Sequence, residues 1–184
     1  MVLSAALFAL SACHRKPTVA ATTPAPIAEA PAGDGGTNAG DRERAERERL
    51  ERERAERTRA LAELRRTMAA PIYFAFDRSD LTAESRETLE AKWKILSVNP
   101  AMRITIEGHA DDLGSDEYNL ALGQRRGAAA KRYLMQRDLD STRVEIASFG
   151  EERPTCQDGT EACRARNRRD ETRITAGEPT ATPR

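Results

Sequence analysis

The feature that most limits the folds open to this chain is a strand pattern joined through a turn to a helix pattern. Met102, Ile104 and Ile106 alternate with polar residues, which predicts a half-buried β-strand. Residues 108–115 contain two glycines among mostly small or polar residues, which is typical of a turn. The segment that follows, to about residue 137, has apolar residues at helical spacing. This order of elements requires a helix that packs against a sheet.

The rest of residues 72–176 continues the alternation of strands and helices. Ile72, Phe74 and Phe76 predict a first strand, and a helix capped by Thr82 follows to about residue 98. Three further elements are predicted, namely a strand at about 144–149, a short helix at about 162–167 and a last strand at 170–176. The predicted fold class is therefore an α/β (α+β) sandwich, with helices packed on a small sheet.

The N-terminus has the features of an export signal. Residues 2–12 are an apolar run of signal-peptide length that is too short to span a bilayer. Residues 10–13 resemble a bacterial lipobox, in which the final cysteine is acylated, so we expect a signal peptide at 1–12 and lipidation of Cys13. The alternative is a buried apolar N-terminus with an incidental cysteine. Residues 13–40 are rich in Ala, Pro and Thr, which predicts a disordered tether.

Residues 41–69 form a segment dominated by Glu and Arg, which predicts a charged helix. Oppositely charged residues recur four apart in the helix-stabilising orientation, in the pairs Glu43 with Arg47, Glu48 with Arg52, and Glu53 with Arg57. Apolar residues do not repeat as a heptad, which disfavours a coiled coil. We expect a solvated spacer; the alternative is a partner-binding helix near Leu61 and Leu64. Because 30 basic and 30 acidic residues cancel, no net field favours nucleic acid.

Two cysteines, Cys156 and Cys163, lie close together near the C-terminus. In an exported protein this pair predicts a disulfide that closes a surface loop. Metal binding is the rival interpretation, but two cysteines separated by six residues, with no nearby histidine, have poor zinc spacing.

Residues 106–126 carry the most specific motif of the chain. They contain Gly108-His109-Ala110-Asp111 in the turn and a pair of arginines, Arg125 and Arg126, in the helix, and residues 167–169 add the motif Asn-Arg-Arg. Together these motifs resemble the peptidoglycan-anchoring domain of the OmpA C-terminal type. The resemblance covers about residues 72–174. It implies a βαβαβ-(α)β domain with a mixed sheet at 70–176 and a loose tail at 177–184.

The resemblance also implies a ligand, the diaminopimelate of the peptidoglycan stem peptide, whose far end carries an ammonium and a carboxylate. Asp111 corresponds to the residue that binds the ammonium, and Arg126 to the one that binds the carboxylate. An arginine suits the second role because its planar fork donates two parallel hydrogen bonds to a carboxylate. Arg125 is the competitor for that role. The other residues that the resemblance assigns to the site are Phe76, Asp77, Asn167 and Arg168, with Arg169 beside them.

His109 admits three interpretations. We expect its imidazole to make a hydrogen bond that holds the turn. A metal site is disfavoured because His109 with Asp111 lacks a third ligand. A cell-wall hydrolase using His109 with Asp111 or Asp112 is also disfavoured, because no metal set or nucleophile accompanies them. We therefore predict no enzymatic activity, no cofactor and no metal, and we expect Asp112 to be structural or solvent-facing.

Two departures from the family pattern stand out. Gly127 replaces the usual alanine, which is expected to loosen the helix by up to ~1 kcal/mol. The last strand, at 170–174, is unusually polar, which suggests a solvated edge strand.

The expected function is that of an outer-membrane lipoprotein that binds peptidoglycan non-covalently. Such a protein tethers the outer membrane, through its lipid anchor, to the cell wall from the periplasmic side. The alternative is an envelope scaffold that recruits partners, such as Tol-system proteins, through the charged helix.

Overall fold

The computed structural model describes residues 38–180. The elements in chain order are α1 (Ala39–Ala69), β1 (Ile72–Tyr73), α2 (Ala83–Val98), β2 (Arg103–His109), α3 (Asp116–Met135), a 3₁₀ turn (Ser141–Arg143), β3 (Val144–Gly150), α4 (Glu161–Asn167) and β4 (Arg169–Ala176). The predicted signal peptide, Cys13 and nearly all of the predicted tether lie outside the described residues, as do residues 181–184. Among the helices that the structure describes, none has the length and apolar character needed to cross a membrane.

The predicted charged helix is present as α1. Its side chains are exposed as far as residue 60, and two of the three predicted ion pairs form, Glu43 with Arg47 at 2.7 Å and Glu48 with Arg52 at 3.0 Å. At its C-terminal end Leu64 and Met68 pack on the hydrophobic core, and Met68 is 1% exposed. The end of α1 is thus part of the folded domain, and Leu64 faces that domain's own core.

The sheet is mixed, as predicted. Its strand order is β1-β4-β2-β3, with β2 parallel to β3 and β4 antiparallel to both β1 and β2. Helices α2 and α3 pack against the sheet, and alternate residues of β2 point towards them because strand side chains have a period of two. The core contains Ile72, Phe74, Leu89, Leu96, Met102, Ile104, Ile106, Leu134 and Val144.

Hydroxyl side chains set where the helices begin. Thr82 accepts a hydrogen bond from the backbone N–H of Ser85, as the sequence predicts. Ser115 does the same for Tyr118 at the start of α3, and Thr160 for Cys163 at the start of α4. The cap at Ser115 fixes the point at which the turn after β2 becomes helix.

The prediction that the last strand is a solvated edge is wrong. β4 lies inside the sheet, between β1 and β2. Its polar side chains have partners in α2 and in β2: Lys92 of α2 donates a 2.7 Å hydrogen bond to Thr172, and Arg173 pairs with Glu107 of β2 at 2.7 Å. These contacts allow a polar strand to occupy an interior position.

β1 is shorter than predicted, because it pairs with β4 only at Ile72 and Tyr73. The chain then turns at residues 75–78, where the N–H of Arg78 bonds the carbonyl of Ala75 at 3.2 Å. Phe76, predicted to lie in the strand, is therefore exposed in this turn.

Gly127 allows α3, which continues unbroken to Met135, to pack closely against β3, and the expected loosening of the helix stays a prediction. A Cβ at this position would lie 2.6 Å from Cγ2 of Ile146 on β3. Gly108 and Gly123 likewise bring the end of β2 against α3, since a Cβ on Gly108 would lie 2.1 Å from the carbonyl oxygen of Gly123. The turn after β2 is thereby held close to the helix.

Candidate functional site

A groove of about 220 Å³ lies beside the turn that follows β2. It is formed by the turn at 75–78, the turn after β2 and the first two turns of α3. Its lining residues are Phe76, Asp77, Asp111, Leu113, Gly114, Tyr118 and Leu122. Three of the residues assigned to the site by sequence, Phe76, Asp77 and Asp111, therefore share one concave surface.

Asp111 is a buried carboxylate paired with a buried arginine. Its side chain is 4% exposed, and its Oδ2 accepts a 2.9 Å hydrogen bond from Nη1 of Arg168, whose side chain is 6% exposed. The same guanidinium bonds Glu161 at 2.6 Å and the carbonyl of Phe74 at 3.3 Å. Within residues 38–180 the other carboxylate oxygen, Oδ1 of Asp111, receives no hydrogen bond. Arg168 thus neutralises Asp111 while using only one of its oxygens.

Arg126 lies beneath the groove and is 0% exposed. Its Nε donates to the carbonyl of Arg78 at 2.9 Å, its Nη1 to that of His109 at 2.7 Å, and its Nη2 to that of Ala75 at 3.3 Å. A guanidinium has five N–H donors, so one donor on each terminal nitrogen has no partner within the described chain. Burial lowers the pKa of Arg126 to about 10, so the side chain remains charged at neutral pH.

The competitor for the role of Arg126 lies elsewhere. Arg125 is exposed on α3, and its guanidinium carbon is 5.4 Å from the centre of the Tyr118 ring. It does not reach beneath the turn.

The turn at 75–78 covers Arg126. Asp77 has a positive φ of 54°, a backbone conformation that is uncommon for residues other than glycine. Its carboxylate accepts a hydrogen bond from the hydroxyl of Tyr118, which raises the pKa of that hydroxyl. Sequence reasoning missed Tyr118, and only its position one turn into α3, next to the Asp111 turn, hinted at a place in the site.

Asn167 lies beside the groove rather than in it. Its Oδ1 accepts hydrogen bonds from the backbone N–H groups of Thr155 and Cys156 at 2.9 and 3.2 Å, and its Nδ2 donates to the carbonyl of Cys156 at 2.8 Å. Because it is 4% exposed and bonded on both sides, Asn167 acts as a clamp on the 155–156 backbone. Its assignment as a ligand-binding residue stays a prediction.

The predicted disulfide between Cys156 and Cys163 is confirmed, with Cα atoms 5.4 Å apart. It borders a second pocket of about 240 Å³, which Asp112 and Arg164 also line. Asp112 pairs with Arg164 at 2.7 Å and is 55% exposed, which fits the structural, solvent-facing role expected for it. Since both sulfurs form the disulfide, Cys156 and Cys163 do not act as thiolate ligands.

The prediction that the His109 imidazole makes a hydrogen bond is wrong. The contribution of His109 to the turn comes instead from its backbone carbonyl, which accepts a hydrogen bond from Arg126. The ring stacks on Phe149 with centroids 5.6 Å apart, and neither ring nitrogen has a hydrogen-bond partner within residues 38–180. Burial, aided by the charge of Arg169, lowers its pKa to about 4. The imidazole lies beside Glu107 and Glu171 and does not line the groove that Asp111 lines.

Comparisons with known proteins identify the family of this chain. A family model described as the OmpA family matches residues 73–168. The chain is 41% identical over 98 residues to the peptidoglycan-associated lipoprotein of Haemophilus influenzae, an alignment that covers 53% of this chain and 64% of the relative. It is 43% identical over 98 residues to the protein of the same name from Brucella melitensis, covering 53% of this chain and 58% of the relative. The chain thus spans less than two thirds of the length of these relatives.

Solved structures show the same fold. The peptidoglycan-associated lipoprotein from Burkholderia pseudomallei superposes with a TM-score of 0.56 at 33% identity, over 57% of this chain and 89% of that one. The C-terminal domain of Helicobacter pylori MotB superposes with a TM-score of 0.54 at 19% identity, over 58% of this chain and 84% of that one, and shows the fold alone. On the match to residues 73–168, the chain belongs to the OmpA family.

Proposed function

We propose that this protein is a non-enzymatic anchor that binds the diaminopimelate stem peptide of peptidoglycan in the groove beside Asp111. The observation that carries the proposal is a buried acid that lines the groove, Asp111, together with a buried guanidinium, Arg126, that interacts with it electrostatically and that the turn at 75–78 covers. The relatives described above are named for association with peptidoglycan and not for a catalytic activity.

Asp111 provides the acceptor for the ligand ammonium. Its Oδ1 has no hydrogen bond from the described residues, while Arg168 fixes its Oδ2 and therefore its orientation. Charge-assisted hydrogen bonds contribute roughly 1.5–3 kcal/mol each, so an ammonium bound here adds measurable affinity.

Arg126 provides the donors for the ligand carboxylate. The unpartnered N–H on each terminal nitrogen matches the two oxygens of a carboxylate. The guanidinium is covered by the turn at 75–78, so binding requires this exposed turn to move aside. The 3.3 Å bond to Ala75 is the longest of the three that Arg126 makes, and we expect it to open first.

Sedimentation with purified sacculi tests the acidic half of the site. Asp111→Asn removes the charge at nearly constant size and is expected to weaken binding roughly ten- to a hundredfold, the equivalent of one charge-assisted bond. Asp112→Asn is the matched control, because the carboxylate of Asp112 is next in sequence but pairs with Arg164 outside the groove. This variant should bind sacculi as the wild type does. Equal binding by both variants and the wild type would refute the site.

Competition with soluble peptides tests the basic half. A stem peptide with lysine in place of diaminopimelate keeps the ammonium but lacks the distal carboxylate, so it should compete at least tenfold more weakly. Equal competition by the two peptides would remove Arg126 from the proposal. Release of soluble fragments from labelled sacculi would instead indicate an enzyme.

The N-terminal part of the proposal is a lipid anchor on Cys13 in the outer membrane and a spacer formed by α1. The exposed, ion-paired surface of α1 as far as residue 60 supports a spacer. Replacing residues 41–60 by another charged helix of equal length should leave tethering intact. If the replacement abolishes crosslinking to Tol-system proteins or another envelope partner, the helix recruits partners instead.

A further inference from the structure

We propose that Glu107, His109 and Glu171 form a site for a zinc-class divalent metal ion on the face of the sheet opposite α2 and α3. Glu107 and His109 are alternate residues of β2, so their side chains point to the same face. Glu171 of β4 is directly opposite Glu107 in the antiparallel register. One ligand atom from each residue lies within 4.8 Å of the other two.

His109 is the observation that points to a ligand. Its side chain is 2% exposed, and both ring nitrogens lack a hydrogen-bond partner within the part of the chain described. A buried polar group without a partner is unfavourable, and native proteins rarely leave one uncompensated. A metal ion held by one ring nitrogen and the two carboxylates would satisfy that nitrogen's lone pair.

The donor set indicates the class of metal. One imidazole nitrogen and two carboxylate oxygens suit Zn²⁺, whereas Ca²⁺ and Mg²⁺ prefer oxygen ligands alone. Ligand atoms about 2.1 Å from a tetrahedral zinc lie about 3.4 Å apart, so the three groups must move slightly closer together. Glu171 has the freedom to do so, because its side chain is 41% exposed.

Two arginines share the carboxylates and compete with a cation. Arg173 pairs with both oxygens of Glu107, at 2.7 and 3.3 Å, and Arg169 pairs with Oε1 of Glu171 at 2.7 Å. Each carboxylate oxygen has two lone pairs, so an arginine and a metal ion can share one group. Arg173 is 63% exposed and can rotate into solvent, so we expect a metal ion to displace it from Glu107.

An opening connects this cluster with solvent. A pocket of about 310 Å³ lies between the end of α1 and β4, and Glu107, Glu171 and Arg173 line it together with Arg65 and Glu178. It leaves room for a water molecule as a further ligand.

Calorimetric titration of the full-length chain with ZnCl₂, with the disulfide intact, tests the site. Glu107→Gln and Glu171→Gln should each weaken zinc binding at least tenfold. Glu145→Gln is the matched control, because Glu145 is exposed on the same face of the sheet but outside the cluster, and it should bind zinc as the wild type does. Equal zinc affinity in all four proteins would overturn the proposal, as would a wild type that takes up no zinc.

A substitution that is expected to increase zinc affinity separates loss of the site from misfolding. Arg173→Met removes the competing cation from Glu107 and should tighten zinc binding several-fold, a gain that damage to the fold does not produce. Zinc should also shift the ring-nitrogen NMR signals of His109. Unshifted His109 signals at saturating zinc, or unchanged affinity in Arg173→Met, would contradict the assignment. These measurements do not involve peptidoglycan, so their outcome is independent of the proposed function.

Discussion

Nη1 of Arg168 lies 2.9 Å from Oδ2 of Asp111, and this ion pair joins residues that are 57 positions apart in the chain. Both side chains are almost fully buried. The pair connects the turn after β2 with the end of α4, and it orients the carboxylate that we propose as the acceptor for the ligand ammonium.

Arg168→Met should lower the free energy of unfolding by about 3–5 kcal/mol, because it leaves Asp111 as a buried charge without its partner. Arg164→Met is the control, since Arg164 pairs with the half-exposed Asp112, and it should cost no more than about 1 kcal/mol. Urea denaturation measures both. Similar losses in the two variants would mean that the Asp111 pair does not stabilise the fold more than a surface pair does.

Asn167→Ala should lower the free energy of unfolding by about 2–4 kcal/mol, because several buried hydrogen bonds to the 155–156 backbone are lost together. Gln157→Ala, at an exposed position of the same loop, should have little effect. Thermal unfolding distinguishes a structural role for Asn167, holding the 155–156 backbone, from a role in binding the ligand. Wild-type stability combined with loss of peptidoglycan binding would assign it to the ligand.

Gly127→Ala is a case in which helix propensity and packing predict opposite signs. Propensity alone favours alanine by about 1 kcal/mol. The added methyl group, however, would lie 2.6 Å from Cγ2 of Ile146, so we expect a net loss of about 1–3 kcal/mol from overpacking. Ala121→Gly, at an exposed position of the same helix, measures the propensity alone. An increase in stability in Gly127→Ala would show that α3 does not approach β3 this closely.

Lys92 should make stability depend on pH in the alkaline range. Burial lowers its pKa from 10.5 to about 8, so between these values the unfolded chain holds a proton that the folded chain has released. The free energy of unfolding should therefore rise as the pH increases from about 8 to 10.5, by up to about 3 kcal/mol. Lys92→Met should abolish this rise and Lys94→Met, on the exposed side of α2, should retain it. Identical pH profiles for the two variants would exclude Lys92 as its source.

Local patterns made much of the fold predictable. The alternation at Met102, Ile104 and Ile106 identified β2, and the Thr82 cap gave the start of α2, because both signals depend on neighbours in the chain. The interior position of β4 was not predictable in the same way. Its polar residues suggest an edge, and the partners that permit an interior position, Lys92 and Glu107, lie far away in sequence.

The candidate site also has features that the local sequence predicts and features that depend on residues far apart in the chain. The resemblance assigned Asp111 and Phe76 to one site, and both line the same groove because each lies in a turn next to a strand end. The motif did not indicate that Arg126 is held by three carbonyl groups, or that Arg168 pairs with Asp111. It also did not indicate that the His109 ring is left without a hydrogen bond within residues 38–180. These facts depend on how separate segments pack, and a residue pattern along the chain does not encode them directly.

The most direct test of the central claim is a crystal structure of the protein with a bound peptide that contains meso-diaminopimelate. We predict that the ligand ammonium lies within hydrogen-bonding distance of Oδ1 of Asp111, and that its carboxylate bonds both terminal nitrogens of Arg126 after the turn at 75–78 has moved. A peptide bound elsewhere, with Arg126 still covered by that turn, would contradict the account.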